Sequence, residues 1–151
     1  MNLQLSVQYG AARAGLPAKS SLRRWASAAL QGLGRERVAL GVRIVGAAES
    51  AELNRRFRRK HGPTNVLSFA FEAPSGTRSE VLGDLVICAP VVRREARAQR
   101  KPVRTHWAHM VVHGILHLRG YDHMNRRDAT VMEKKEIRIL KELGFANPYL
   151  S

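Results

Sequence analysis

Several things are scarce or missing in this chain, and each omission excludes something. Only one cysteine, Cys88, occurs in 151 residues, so no intrachain disulfide framework is possible. It lies in the apolar run "LVICAP", which suggests a buried, inert thiol. No uninterrupted apolar run reaches the roughly 18 residues that would suggest a bilayer span. The N-terminus, "MNLQLSVQYGAARAG", has no charged start, long apolar centre or small-residue cleavage site of the secretory kind. These features together lead us to expect a cytoplasmic protein without a membrane partner. Internal repeats, low-complexity tracts and long linkers are missing too, so residues 1–151 are expected to form one domain.

Acidic residues are also few: 12 against 26 lysines and arginines, a formal net charge of +14. Most of the excess is arginine, whose planar fork matches phosphate better than the point charge of lysine. The expected partner is therefore a polyanion, with RNA or DNA first. A bias toward arginine codons would raise the total but would not explain where the arginines cluster.

What remains patterns as α+β. Strands are expected at Leu3–Tyr9, Val38–Gly46, Thr64–Phe71 and Gly83–Ala89, where apolar and polar residues alternate or apolar residues run together. Five helices are expected. The first, capped by Ser20 or Ser21, presents Leu22, Trp25, Ala29 and Leu30 inward and stops near Gly34. The second runs from Ser50, a possible cap, to Lys60. The third opens at Pro90, the fourth runs from Pro102 to near Gly120, and the fifth covers Arg126–Leu143. In the fifth, Val131, Ile137, Leu140 and Leu143 are expected to face inward. "APSGTRSE" reads as a polar loop. Asn65, Ser68 and Asp84 are the polar members of otherwise buried strands, and a structural hydrogen-bonding role is expected for each.

The fourth helix carries the chemistry. At ~100° per residue, His106, His109, His113 and His117 fall within about 80° of one another. His113 and His117, at i and i+4, can bind one Zn²⁺ through two imidazoles on one helix face. Gly120 can turn the chain back in a left-handed conformation, letting His123 approach from another direction. Three neutral nitrogens leave a fourth position for water, the arrangement of a catalytic zinc. Asp122 would orient an imidazole or hydrogen-bond that water. His109 would act behind the ligands or on substrate, or else serve as a satisfied core histidine, while His106 is expected to be structural. The H-x3-H-x2-G-x2-H spacing is that of metzincin peptidases, but where those carry a general-base glutamate this chain has Gly114.

"LNRRFRRKHGPTNVLSF" places Arg55, Arg56, Arg58, Arg59 and Lys60 within six positions. Arg55, Arg58 and Arg59 are expected to share a helix face, and Phe57 to anchor the core. Arginines beside a hydrolytic metal suit a phosphodiester, whose transition state gains charge on phosphoryl oxygens.

The blocks "LNRRFRRKHGPTNVLSFAFE", "LGDLVI", "HWAHMVVHGILHLRGYDH" and "MEKKEIRIL" together resemble the bacterial YbeY family, zinc-dependent endoribonucleases of ribosomal RNA maturation. That resemblance implies a small mixed sheet packed with helices, here four strands and about five helices, with the zinc site at the end of a central helix. It implies one Zn²⁺ per chain on His113, His117 and His123, and an active-site arginine at Arg58. It also implies action on single-stranded RNA, in maturation of the small-subunit 3′ end and in ribosome quality control. In this reading His113 and Arg58 are catalytic, Arg55, Arg59 and Lys60 contact RNA, and His109 and Asp122 support the metal. A monomer is the default, with ribosome-associated proteins as further partners. His61 departs from the aspartate usual in the family, making local charge more positive. Two rivals follow from the residues themselves: a zinc peptidase or other small-substrate hydrolase, and a non-catalytic assembly factor with a structural zinc.

Overall fold

The structure is a computed structural model and describes residues 1–77 and 79–150. Arg78, inside the expected polar loop, and Ser151, the last residue of the expected domain, lie outside the described residues. The elements run β1 (Asn2–Tyr9), α1 (Lys19–Ala29), β2 (Arg37–Val45), α2 (Ala47–Arg58), β3 (Val66–Ala70), β4 (Val81–Cys88), α3 (Ala89–Ala98), α4 (Val103–Leu118) and α5 (Arg126–Glu142). The sheet order is β1-β2-β4-β3. β1, β2 and β4 are parallel, and β3 runs antiparallel to β4, so among the described residues the α+β fold has a four-stranded mixed sheet and five helices.

Period-two alternation explains the layering. Leu3 and Leu5, then Val38, Leu40, Val42 and Ile44, then Leu85 and Ile87, pack in one core with α1, α4 and α5. Trp25 and Trp107 are among its largest fully buried side chains. α4 is enclosed on nearly every side, with eleven of its sixteen residues buried, which is why it lacks the amphipathic stripe of a surface helix. On the other face, Val45, Leu67, Val86, Cys88 and Val91 form a smaller cluster with Leu53 and Phe69. Beyond that cluster the face opens into a trough of about 850 Å³ that includes Gln4, Ser6, Gln8 and Asp84.

Several local expectations need correction. Neither Ser20 nor Ser21 caps α1: its N-cap is Ala18, with no side-chain hydrogen bond. α2 begins before Ser50, whose hydroxyl instead binds the backbone of Thr64. Asp84 is exposed in the trough rather than bonded inside a strand, and its carboxylate lies over Gly41 where a Cβ would sit. Phe57 is half exposed, 50 %, and meets Phe69 edge-on. The inward stripe of α5 is Met132, Glu136, Ile139 and Leu140, while Val131 is exposed. A charged residue therefore occupies a position that hydropathy gives to the apolar side.

Candidate metal centre

The C-terminal half of α4 carries His113 and His117 to one end of the buried helix. Gly120 then takes φ 97°, and the amide of Tyr121 donates to the carbonyl of Leu116, turning the chain sharply. His123 returns across this bend. The three imidazoles offer nitrogens that all lie within 4.8 Å of one another. His113 Nε2 and His117 Nε2 are 3.2 Å apart. Two nitrogens bound at ~2.0–2.1 Å to a tetrahedral zinc would be about 3.3 Å apart. The donor set thus fits one divalent ion such as Zn²⁺. Burial first, then repulsion from His113 and His123, pushes the His117 imidazole below its ordinary pKa. That favours the neutral form a metal requires.

Behind the three histidines stands Glu136, a fully buried carboxylate on α5. Its Oε1 lies 2.9 Å from His113 Nδ1 and its Oε2 2.6 Å from His109 Nε2. The Tyr149 hydroxyl donates to Oε2 at 2.7 Å. Burial pushes this carboxyl up, but hydrogen bonds from His109 and His113, the charge of His113 and the bond from Tyr149 prevail and hold it at about 2. With Nδ1–H of His113 donated to a carboxylate, the lone pair on Nε2 faces the site. His109, Glu136 and His113 also group as possible donors. Their separations of 2.6 and 2.9 Å are hydrogen-bond lengths and leave no room for an ion between them.

A cleft of about 580 Å³ opens in front of the histidines and is walled by α2, β3 and the α2–β3 connection. The polar side chains of α2 hold that connection. Asn54 donates to the Gly62 carbonyl at 2.9 Å, and the Ser50 hydroxyl pairs with the Thr64 backbone in both directions. Arg58 and Lys60 line the cleft with His113, His117, His123 and Asp122. Arg58 donates to the Ser68 carbonyl at 2.9 Å and lies over the Phe69 ring, which braces the guanidinium at the cleft wall. Ser68 in turn donates to the Gly114 carbonyl at 3.0 Å, linking β3 to α4.

Other expected residues fall elsewhere. Arg55 pairs with Glu52 at 2.7 Å, away from the cleft lining. Arg59 is the C-cap of α2, in left-handed conformation, and so leaves the helix face it was expected to share with Arg55 and Arg58. Asp122 lines the cleft, but its Oδ1 accepts from the His123 amide at 2.7 Å and so shapes the bend, with no bond to an imidazole. His109 is 7 % exposed and bound to Glu136, behind the three histidines; His106 is buried and bound to Glu95 at 2.9 Å.

Gly114 faces away from the histidines, toward the sheet. A Cβ on it would lie 2.7 Å from Leu85 Cδ2 and 3.2 Å from Val66 Cγ2. The glycine lets α4 sit closely on the sheet.

The family described as "Endoribonuclease YbeY" matches residues 13–144. The chain belongs to the YbeY family. A YbeY relative from Methylococcus capsulatus, named Endoribonuclease YbeY, is 55% identical over 147 residues, covering 97% of this chain and 95% of its own. Another of the same name, from Alkalilimnicola ehrlichii, is 57% identical over 151 residues, covering 97% and 91%. Among solved structures, that of TM1509 from Thermotoga maritima superposes with a TM-score of 0.62 at 25% identity, over 93% of this chain and 89% of that one. Within this YbeY chain, sequence reasoning missed Glu136 and Tyr149. The former lies in "MEKKEIRIL", and only its i, i+3 and i, i+4 offsets from Met132, Ile139 and Leu140 signalled that it faces inward.

Proposed function

We propose that this chain is a metal-dependent endoribonuclease acting on single-stranded RNA. Its place would be in ribosomal RNA maturation at the small-subunit 3′ end and in ribosome quality control. The observation that carries the reading is the convergence of three imidazoles in a cleft that Arg58 also lines. Membership of a family whose relatives are named endoribonucleases supports it, as does the +14 charge.

His113, His117 and His123 would hold one Zn²⁺ per chain. Bound there, the ion would supply Lewis acidity toward a phosphoryl oxygen and lower the pKa of a bound water. The chain's own residues do the rest. Arg58, kept in place by the Ser68 carbonyl and the Phe69 ring, binds the scissile phosphate and offsets the charge that grows on its oxygens. Lys60 holds the neighbouring backbone without choosing sequence. His113 is held in one tautomer by Glu136. Asp122 fixes the bend that brings His123 back. The nucleophile is water or the ribose 2′-hydroxyl, and a 2′,3′-cyclic phosphate product end would identify the latter. We further propose that the chain acts as one domain and one monomer in the cytoplasm, with ribosomal RNA and ribosome-associated proteins as partners.

The peptidase alternative loses ground on Gly114, which faces Leu85 rather than the cleft. Zinc-loaded Arg58→Ala should bind the metal normally and lose RNA cleavage about 10²–10³-fold. Cleavage by pure protein lacking both His113 and His117 would sink the proposal.

A further inference from the structure

Among the described residues, two that are not glycine have a left-handed backbone, and both are arginine. They are Arg59, φ 54°, closing α2, and Arg100, φ 55°, just beyond α3. After α4 and α5 the chain uses Gly120 and Gly144 for the same kind of turn. An L side chain crowds its own backbone there, and glycine fits without strain. A cation kept at such a point is a reason to ask what it does.

Arg59 borders the cleft residues already described. Arg100 belongs to a different surface. Arg93 and Arg97, one helical turn apart, share a face of α3, and Arg100 follows just beyond the helix end. Arg94 lies beside them and Arg104 opens α4. All five are exposed, and none joins a salt bridge among the described residues. The one carboxylate on α3, Glu95, is engaged on another side, by His106 at 2.9 Å and Asn65 at 3.1 Å. Asn65 also lines the cleft, so α3 stands directly behind the cleft wall.

We infer that the exposed arginines of α3, Arg93 and Arg97, with Arg100 at the helix end and Arg104 at the start of α4, form a second docking surface for the RNA phosphate backbone, outside the cleft. The inference rests on the endoribonuclease reading above. Protein interfaces are built around apolar and aromatic cores, whereas the exposed residues from Arg93 to Arg104 are mostly cations. With no aromatic ring on which to stack a base, it would bind backbone and ignore sequence.

The test compares wild type with an Arg93→Gln/Arg97→Gln/Arg100→Gly variant, both full-length and zinc-loaded. Binding of an unstructured RNA with 2′-O-methyl riboses is followed by fluorescence anisotropy at several salt concentrations. Three lost phosphate contacts should flatten the slope of log affinity against log salt by about 2 and weaken binding about ten-fold at moderate salt. Cleavage of a short oligonucleotide that fills only the cleft should be unchanged, while KM for a long RNA rises and kcat holds. Tm should stay level or rise by up to about 4 °C, since glycine relieves the backbone at 100. Wild-type affinity and slope in the variant would overturn the inference and leave the face for an acidic protein. A lower Tm would overturn it as well, by showing that the arginines support the fold. Should the wild-type protein itself bind no RNA, the endoribonuclease reading fails, and this one with it.

Discussion

Replacing Glu136 by glutamine should weaken zinc binding without touching a ligand. The carboxylate accepts three hydrogen bonds on two oxygens: His113 on Oε1, and His109 and Tyr149 on Oε2. Glutamine fills nearly the same volume but offers one accepting oxygen and one donating amide. If its oxygen takes the Oε2 place, its amide meets His113 Nδ1 and drives that ring to the tautomer with hydrogen on Nε2, where the metal lone pair should be. If it is flipped, the amide meets the Tyr149 hydroxyl and His109, and the network loses two of its three bonds. Loss of a supporting partner of this kind costs typically 10–100-fold in metal affinity. A hydrogen bond to a charged group is worth about 1.5–3 kcal/mol, and relief from burying a charge offsets part of that. The net loss of stability should therefore stay near 1–3 kcal/mol, leaving the protein folded. Competition with a chromophoric chelator measures the first quantity and denaturant melts of the metal-free protein the second. Tyr149→Phe removes one donor and should produce a smaller loss of affinity in the same direction. A Glu136→Gln protein that melts lower yet binds zinc as tightly as wild type would refute the reasoning and leave Glu136 as a core residue only.

Ser50→Ala cuts the two-way bond to Thr64 and should lower RNA cleavage through a loosened cleft wall, with a stability cost near 1–2 kcal/mol and unchanged zinc content. His106 should make stability depend on pH. Burial pushes its pKa below the ordinary value, with Glu95 partly opposing, so below about pH 6.5 the unfolded chain takes up the proton more readily than the fold does. Stability is then full above that pH and falls as pH drops through it, and Tm between about pH 7 and 5 should decline more steeply in wild type than in His106→Gln. Trp25→Ala empties a fully buried site between α1 and the C-terminal Phe145 and should cost about 3–5 kcal/mol in a denaturant melt.

The grouping of three histidines that could hold a metal was legible because its signal is local: one helical turn between His113 and His117, a glycine, then His123. The strands were legible from alternation, and the sheet order agrees with the mixed sheet that the resemblance implied. What sequence reasoning misplaced depends on long-range partners. Glu136 is inward because α4 supplies two imidazoles to receive it, and within α5 only its spacing from Met132, Ile139 and Leu140 hints at that. The expectation that apolar residues define the inner stripe then drew Val131 inside, although it is exposed. Arg59 was placed on a helix face because spacing assumes the helix continues, whereas a left-handed cap ends the periodicity at Arg58. Ser50 looked like a cap because serines often are, yet its hydroxyl is used across the turn, on Thr64.

Gly114 bears on any attempt to redesign this protein. Writing a glutamate there would restore the metzincin letters, yet its side chain would start from a point already against Leu85 and Val66. Both atoms in the way are side-chain methyls, so room for it must come from repacking Leu85 and Val66 at the contact that seats α4 on the sheet. The histidine spacing of the peptidases is thus present here beside a residue already committed to the contact between helix and sheet.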